Sequence, residues 1–121
     1  MMNKDELFYI INGAVFEVNR ILGAGFLESV YENALSVELR ERDLDVKNQV
    51  SLNVEYKGMI VGEYRADIIV EDSVIIEVKA IKALLEVHTA QLLNYMKATG
   101  IKLGMLVNFT HPKAEIKRYI L

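Results

Sequence analysis

Hydrophobic positions in the first third of the chain recur at helical spacing. The first run follows Asn3 and Glu6, which resemble a capping box, and it comprises Leu7, Ile10, Ile11, Ala14, Val15, Val18, Ile21 and Leu22. Gly23-Ala24-Gly25 is typical of a helix C-cap and turn. A second helix, closed by the charges from Glu38 to Asp43, is predicted by the stripe Leu27, Val30, Tyr31, Ala34, Leu35 and Leu39.

The period of the pattern then changes to two, which indicates strands. The first strand ends at the Lys57-Gly58 turn, and its apolar residues are expected to share one face: Val46, Val50, Leu52, Val54 and Tyr56. Further strands are predicted at Met59–Val70, Val74–Ala80, Leu103–Phe109 and Ala114–Ile120. A third helix over roughly Leu84–Thr99 ends at Gly100, and Thr110-His111-Pro112 is expected to form a turn.

The predicted order is α-α-β-β-β-α-β-β, which gives an α/β (α+β) fold with a mixed central sheet flanked by helices. The chain has 121 residues, of which 52% are hydrophobic. This is enough for one domain with a substantial core and too little for two, so residues 1–121 are expected to form a single domain. The third helix links two neighbouring strands as a crossover, for which a right-handed connection is expected.

Composition excludes several classes of protein. The chain has no cysteine, so disulfides, zinc-thiolate sites and thiol nucleophiles are excluded. Residues 1–6 are acidic where a signal peptide would be basic, and no apolar run approaches the roughly 20 residues that span a bilayer. We therefore expect a cytoplasmic protein with no membrane association.

The net charge of −3 argues weakly against a nucleic-acid partner, because phosphate binding usually depends on a basic surface. The charges are unevenly distributed, however. Residues 1–72 contain 14 acidic and 7 basic residues, whereas residues 73–121 contain 3 acidic and 7 basic ones. Bound divalent cations would offset part of the acidic excess.

Charged residues interrupt the two apolar strands on either side of Glu71-Asp72-Ser73. If those three residues form the loop, Asp67 lies directly opposite Glu77 and shares its face of the sheet. Alternation along the second strand places Lys79 on the same face. A two-residue loop would instead set Asp67 opposite Ile76 and separate the group, so the prediction depends on loop length.

An Asp on one strand and a Glu-x-Lys on the next form the skeleton of a metal-dependent phosphodiesterase site. The alternative is that the three residues are ordinary surface charges on the solvated face of an amphipathic hairpin. Strand geometry by itself leaves both interpretations open.

These residues resemble the PD-(D/E)xK nuclease-like superfamily and, within it, the small GxxExxY proteins. The naming motif reads Gly25-Phe26-Leu27-Glu28-Ser29-Val30-Tyr31, and the match continues through Leu35. Matching segments follow at residues 64–67, 76–80 and 88–95 and in the closing strands, so the resemblance covers essentially the whole chain. The Pro that gives the superfamily its name is replaced here by Ala66.

The resemblance implies a restriction-endonuclease-like core in which Asp67, Glu77 and Glu28 bind Mg²⁺, for which Mn²⁺ is a substitute. Lys79 would aid the attacking water, or alternatively make a salt bridge with a carboxylate. One metal ion is expected and two are an alternative. Glu32 lies one helical turn after Glu28 and shares its face, so it stays an alternative ligand.

The third helix carries a polar stripe of His88, Gln91 and Tyr95, at positions i, i+3 and i+7. The family pattern puts a Gln next to the metal site, so Gln91 is predicted to bond a substrate phosphate or a metal-bound water. It joins Lys79, Glu77 and Asp67 in the predicted catalytic set. His88 is expected to orient a neighbour, while Tyr31 and Tyr95 are expected to be core aromatics with bonded hydroxyls.

Three functions are compatible with these features. The leading hypothesis is a Mg²⁺-dependent nuclease that hydrolyses phosphodiester bonds of DNA or RNA. The alternative is a non-catalytic module on a nuclease fold that binds nucleic acid or a protein. The third is a subunit that cuts only as an oligomer such as a homodimer.

Overall fold

The computed structural model describes residues 2–110 and 112–121, and it contains the eight predicted elements in the predicted order. His111, in the predicted turn, lies outside the described residues. The elements are α1 Lys4–Leu22, α2 Glu28–Glu41, β1 Val46–Tyr56, β2 Met59–Val70, β3 Val74–Lys79, α3 Glu86–Thr99, β4 Leu103–Asn108 and β5 Glu115–Ile120. The mixed α+β class is therefore confirmed.

The predicted ends of α1 are correct. The Asn3 side chain accepts a hydrogen bond from the Glu6 backbone N–H at 2.9 Å and donates one to the Glu6 carboxylate, also at 2.9 Å. The first bond satisfies a backbone donor of the first turn that would otherwise be unpaired, and the second joins the two side chains. At the other end, Gly23 has φ 68° and donates its N–H to the carbonyl of Asn19.

The five strands form one sheet in the order β1-β2-β3-β4-β5. β3 and β4 are parallel and are connected through α3, whereas the other neighbours are antiparallel. One apolar cluster joins a face of the sheet to α1 and α2, and a second cluster joins the other face to α3. No helix in the described part of the chain is long and apolar enough to cross a membrane.

The loop between β2 and β3 has three residues, as predicted, because Val70 pairs with Val74. Two of the loop residues, Glu71 and Asp72, have φ near +50°, in the left-handed region that tight loops use. The regular ladder extends only to the pair Ile68 and Ile76. The next position on each strand is Asp67 and Glu77.

One prediction about β1 is wrong, because its apolar residues do not share one face. Val46 belongs to the cluster under α1 and α2, whereas Leu52 belongs to the cluster under α3. Between them lies Gln49, whose φ of 50° falls in the left-handed region. A residue in this conformation interrupts the extended backbone, so the side chains before and after it do not follow one alternation.

The β1–β2 hairpin also contains a β-bulge that the sequence pattern did not predict. The pairing steps from Glu55 with Ile60 to Val54 with Gly62, so Val61 is an extra residue on β2. A bulge of this kind bends the strand and shifts the register beyond it by one residue.

Candidate functional site

At the end of the β2–β3 ladder, hydrogen bonds from backbone N–H groups to side-chain carboxylates replace the bonds between backbones. The backbone N–H of Asp67 donates to Oε2 of Glu77 at 2.8 Å, and the backbone N–H of Val78 donates to Oδ2 of Asp67 at 2.8 Å. Each carboxylate therefore satisfies a backbone donor of the opposite strand. This exchange fixes both carboxylates between two strands that are built on a rigid sheet.

One oxygen of each carboxylate is left over from this exchange. Oδ1 of Asp67 has only a long contact of 3.4 Å with the amide of Gln49. Among the described residues, Oε1 of Glu77 receives no hydrogen bond. The predicted pairing of Asp67 and Glu77 is thus confirmed in register, and the pair offers two oxygen atoms to a ligand.

Burial makes this pair of carboxylates costly to ionise. Glu77 is 3% exposed, and burial raises its pKa to about 8, with the charge of Asp67 as the second cause. Burial also raises the pKa of Asp67, against the hydrogen bond from the Val78 N–H, which lowers it. Desolvation disfavours the charged form, and a neighbouring like charge adds to that effect. A cation placed between the two carboxylates would favour their charged forms and so oppose both effects.

Lys79, the last residue of β3, lies beside this pair. Its positive charge lowers the pKa of both Asp67 and Glu77. Its backbone carbonyl accepts a hydrogen bond from Phe109 at 2.8 Å, which ties the end of β3 to the end of β4. Lys79 makes no ion pair within 4 Å among the described residues, so the salt bridge weighed from the sequence is not formed.

The chain after β3 is held by the buried Asn108. Its side-chain oxygen accepts a hydrogen bond from the Ile81 N–H at 2.9 Å, and its amide group donates to the Ile81 carbonyl at 2.9 Å. A buried amide that pairs with both the N–H and the carbonyl of one residue takes the place of a neighbouring strand at that position. The backbone around Lys79 is therefore fixed from both sides.

Glu32 on α2 is, like Glu77, a buried acid of this region. Its Oε2 accepts a hydrogen bond from Asn48 at 3.2 Å, and the same Asn48 amide donates to Ser36 at 2.6 Å. Burial raises the pKa of Glu32, while the bond from Asn48 opposes the shift. Both carboxylate oxygens of Glu32 already have amide partners, because its Oε1 accepts from Gln49 at 2.8 Å.

Gln49 connects this network to the carboxylate pair, since its amide nitrogen contacts both Glu32 and Asp67. The bulge at Val61 shifts the β1–β2 register by one residue, so the pairs on either side of Gln49 place it at the level of Asp67. The sequence pattern missed Gln49, because counting from the Lys57-Gly58 turn without a bulge puts it opposite Ala66. No local signal marks the residue.

Glu28 occupies a different position from Glu32. It is the first residue of α2 and is exposed, yet its charge raises the pKa of Asp67. The structure therefore brings Glu28 into the neighbourhood of the pair without a direct bond to it. Whether Glu28 or Glu32 serves as a ligand stays a prediction.

Tyr31 fixes the turn that precedes Glu28. Its hydroxyl donates to the Gly23 carbonyl at 2.5 Å and accepts from the Phe26 N–H at 3.3 Å. Its ring stacks on Phe109, with centroids 4.6 Å apart. The expectation of a core aromatic with a bonded hydroxyl is confirmed.

Tyr95 on α3 packs against the opposite face of the sheet from Tyr31. It is buried, and its hydroxyl accepts a hydrogen bond from the Gln91 amide at 2.9 Å. Burial raises the pKa of Tyr95, and the charge of Glu77 is the second cause. Gln91 is therefore held near the carboxylate pair through Tyr95, but it does not contact either carboxylate.

His88 has a structural contact. Its side-chain Nδ1 accepts a hydrogen bond from the backbone N–H of Leu85 at 2.9 Å, and the backbone N–H of His88 donates to the Leu85 carbonyl. This caps the N-terminus of α3. The expectation that His88 orients a neighbour is consistent with this bond.

Residues 2–110 and 112–121 contain no group of three or more His, Cys, Asp or Glu side chains arranged as a ready-made metal site. Mg²⁺ does not require such a cage, because it usually binds through one or two carboxylates and completes its shell with water and substrate phosphate. The two left-over oxygens of Asp67 and Glu77 match that requirement.

The chain matches one protein-family model, described as the PD-(D/E)XK nuclease superfamily, over residues 5–119. No curated protein sequence matches it. Several solved structures are similar, among them the following two. The crystal structure of SSO0001 has a TM-score of 0.59 and 19% identity, with 77% of this chain and 50% of that chain covered.

The second similar structure is an alkaline exonuclease, LHK-Exo, from Laribacter hongkongensis. It has a TM-score of 0.57 and 13% identity, with 99% of this chain and 71% of that chain covered. At these identities the likeness concerns the fold, and this chain spans half the length of SSO0001. Together with the family model, the likeness confirms the restriction-endonuclease-like fold.

Proposed function

Because the chain belongs to the PD-(D/E)XK nuclease superfamily, we propose that it is a metal-dependent nuclease that hydrolyses phosphodiester bonds of DNA or RNA. The observation that carries the proposal is the pair of interlocked carboxylates, Asp67 and Glu77, with Lys79 beside them. Neighbouring acids whose pKa values are raised by burial are typical of sites where they have a chemical task. The assignment to the GxxExxY proteins stays part of this proposal.

The donor set fits a hard divalent cation, with Mg²⁺ as the expected ion and Mn²⁺ as its substitute. Asp67 and Glu77 would hold it through the oxygens that the backbone leaves over. Glu28 would be the third carboxylate, since it is exposed near Asp67, whereas both oxygens of Glu32 already bond amides. When bound, such an ion polarises the phosphoryl group and lowers the pKa of a water.

The chain's own residues would prepare and stabilise the reacting groups. The Lys79 ammonium would orient the attacking water or balance the negative charge that develops on the scissile phosphate. Gln91 would donate a hydrogen bond to the phosphate or to a water, with its position fixed by Tyr95. Glu32 and Gln49 would hold the Asp67 carboxylate in place.

The test is cleavage of labelled single- and double-stranded DNA and RNA with Mg²⁺ or Mn²⁺. Wild-type protein should cut at least one substrate and should lose the activity with EDTA. Asp67→Asn and Glu77→Gln keep the shape of the carboxylates but not their charge, so each should abolish cleavage. Glu41→Gln, an exposed change at the end of α2, is the matched control and should cut like wild type.

Activity that survives both Asp67→Asn and Glu77→Gln would show that cleavage comes from elsewhere. If wild-type protein binds nucleic acid but cuts none of the four substrates with either metal, the nuclease proposal is wrong. The chain would then be a binding module on a nuclease fold.

A further inference from the structure

A groove of about 940 Å³ runs between α3 and the outer part of the β1–β2 hairpin. We call it the α3 groove. One of its walls carries Tyr64, which is 49% exposed and whose ring is tilted against Tyr95 with centroids 5.7 Å apart. Gln91 and Tyr95 also line it. Tyr95 belongs to the same apolar cluster as Ile75, and alternation along β3 puts Glu77 on the same face as Ile75. The groove therefore opens on the face of the sheet that carries Glu77.

The lining of the α3 groove is mixed and nearly neutral. Three exposed or half-exposed valines provide apolar surface: Val54, Val61 and Val87. Amide groups come from Asn53, Asn94 and Gln91. The charged side chains that line it are one base, Lys97, and one acid, Glu55.

This lining fits a nucleobase better than a phosphate. A base has two apolar faces and polar edges, which match an aromatic ring, aliphatic walls and amides. A phosphate would gain little inside the groove, because the attraction of Lys97 is opposed by Glu55. The sugar-phosphate chain would then lie outside, toward Asp67 and Glu77.

We propose that the α3 groove binds an unpaired base, stacked on Tyr64, and that the chain therefore acts on single-stranded nucleic acid or single-stranded ends. This inference rests on the nuclease function proposed above. In a duplex the faces of each base are covered by its neighbours, so a base that reaches Tyr64 must first be unstacked and unpaired, and this cost is smallest for a single strand.

The experiment measures binding apart from cleavage. Asp67→Asn protein is titrated against a fluorescent 12-nucleotide oligothymidylate and against a 12-base-pair duplex, with anisotropy as the readout. The single strand should bind more tightly than the duplex. Adding Tyr64→Ala should weaken single-strand binding about 10-fold or more while changing duplex binding little.

Two control variants separate loss of the Tyr64 ring from other causes of weaker binding. Tyr64→Phe keeps the ring and should retain single-strand binding, which a general loss of folding would not allow. Tyr9→Ala removes a more exposed tyrosine on α1, away from the groove, and should leave binding unchanged.

Equal binding of single strand and duplex, or unchanged binding by the Tyr64→Ala protein, overturns the inference. If wild-type protein cuts duplexes and Tyr64→Ala does not alter the rate, the base-binding inference fails while the nuclease proposal stands. If single strands bind through Tyr64 but are never cut, binding in the groove stands and the nuclease proposal fails.

Discussion

The carboxylates of Asp67 and Glu77 each accept a backbone hydrogen bond from the opposite strand, at the point where the β-ladder would otherwise continue. The Asp67 N–H is bound by the Glu77 carboxylate, and the Asp67 carboxylate is bound by the N–H of the residue after Glu77. The arrangement gives both side chains fixed positions, yet it places the buried Glu77 beside the half-buried Asp67.

The first prediction concerns stability and pH in the absence of metal. The folded-state pKa of Glu77, about 8, lies above its ordinary value of 4.5, so the folded protein holds a proton that the unfolded chain releases. Stability from this group is fully present below about pH 4.5 and is lost as the pH rises to about 8. Within this window the free energy of unfolding should fall by up to about 1.4 kcal/mol per pH unit for this residue.

Urea denaturation in EDTA between pH 5 and 8 measures this slope. Glu77→Gln should flatten it, whereas Glu41→Gln, an exposed change, should leave it as in wild type. The raised pKa values of Asp67 and Glu32 act in the same direction, so some slope should persist in Glu77→Gln protein. A wild-type stability that rises steadily over this range would contradict the burial of a protonated Glu77.

The second prediction concerns metal. A divalent ion that binds only the folded state increases the free energy of unfolding, by about 2.7 kcal/mol when its concentration is 100 times its dissociation constant. The melting temperature rises as a consequence. Because the ligands must be deprotonated, the rise with Mg²⁺ or Mn²⁺ should be larger at pH 8.5 than at pH 6. Thermal melts with and without metal measure it.

Asp67→Asn should remove most of the metal-dependent rise. Glu28→Gln and Glu32→Gln, compared in the same melts, separate the two candidates for the third carboxylate: the variant that loses more of the rise carries the ligand. An equal rise in wild-type and Asp67→Asn protein would place the metal elsewhere.

The third prediction separates metal binding from catalysis through Lys79. Its proposed task is to stabilise charge during the reaction rather than to hold the ion. Lys79→Ala should therefore keep the metal-dependent melting shift but slow cleavage by a factor of roughly 10²–10³. Cleavage at the wild-type rate, measured with saturating metal, would rule out that role.

The fourth prediction concerns the backbone at Gln49. Its φ of 50° strains any residue with a Cβ, and glycine adopts it freely. Gln49→Ala and Gln49→Gly both remove the amide that links Glu32 to Asp67, so their difference isolates the backbone. The glycine variant should be the more stable by about 1 kcal/mol in urea denaturation, although glycine ordinarily destabilises a strand. The usual order, with alanine more stable, would show that the strain is absent.

Local patterns determined much of this protein. Helical and alternating periodicities placed all eight elements in order, because each element buries one face and the apolar spacing records it. The three-residue loop after Val70 was visible as three consecutive polar residues, and it fixed the register that sets Asp67 opposite Glu77. Both residues lie close to that loop, so no distant contact was needed to bring them together.

The tertiary structure alone decided the surroundings of that pair. The bulge at Val61 and the left-handed backbone of Gln49 set which residue of β1 meets Asp67, and neither has a sequence signature. The burial of Glu32 against Asn48 depends in turn on how α2 packs on the sheet. Register shifts and helix packing are settled by contacts between segments far apart in the chain, whereas periodicity reports only which face of a segment is buried.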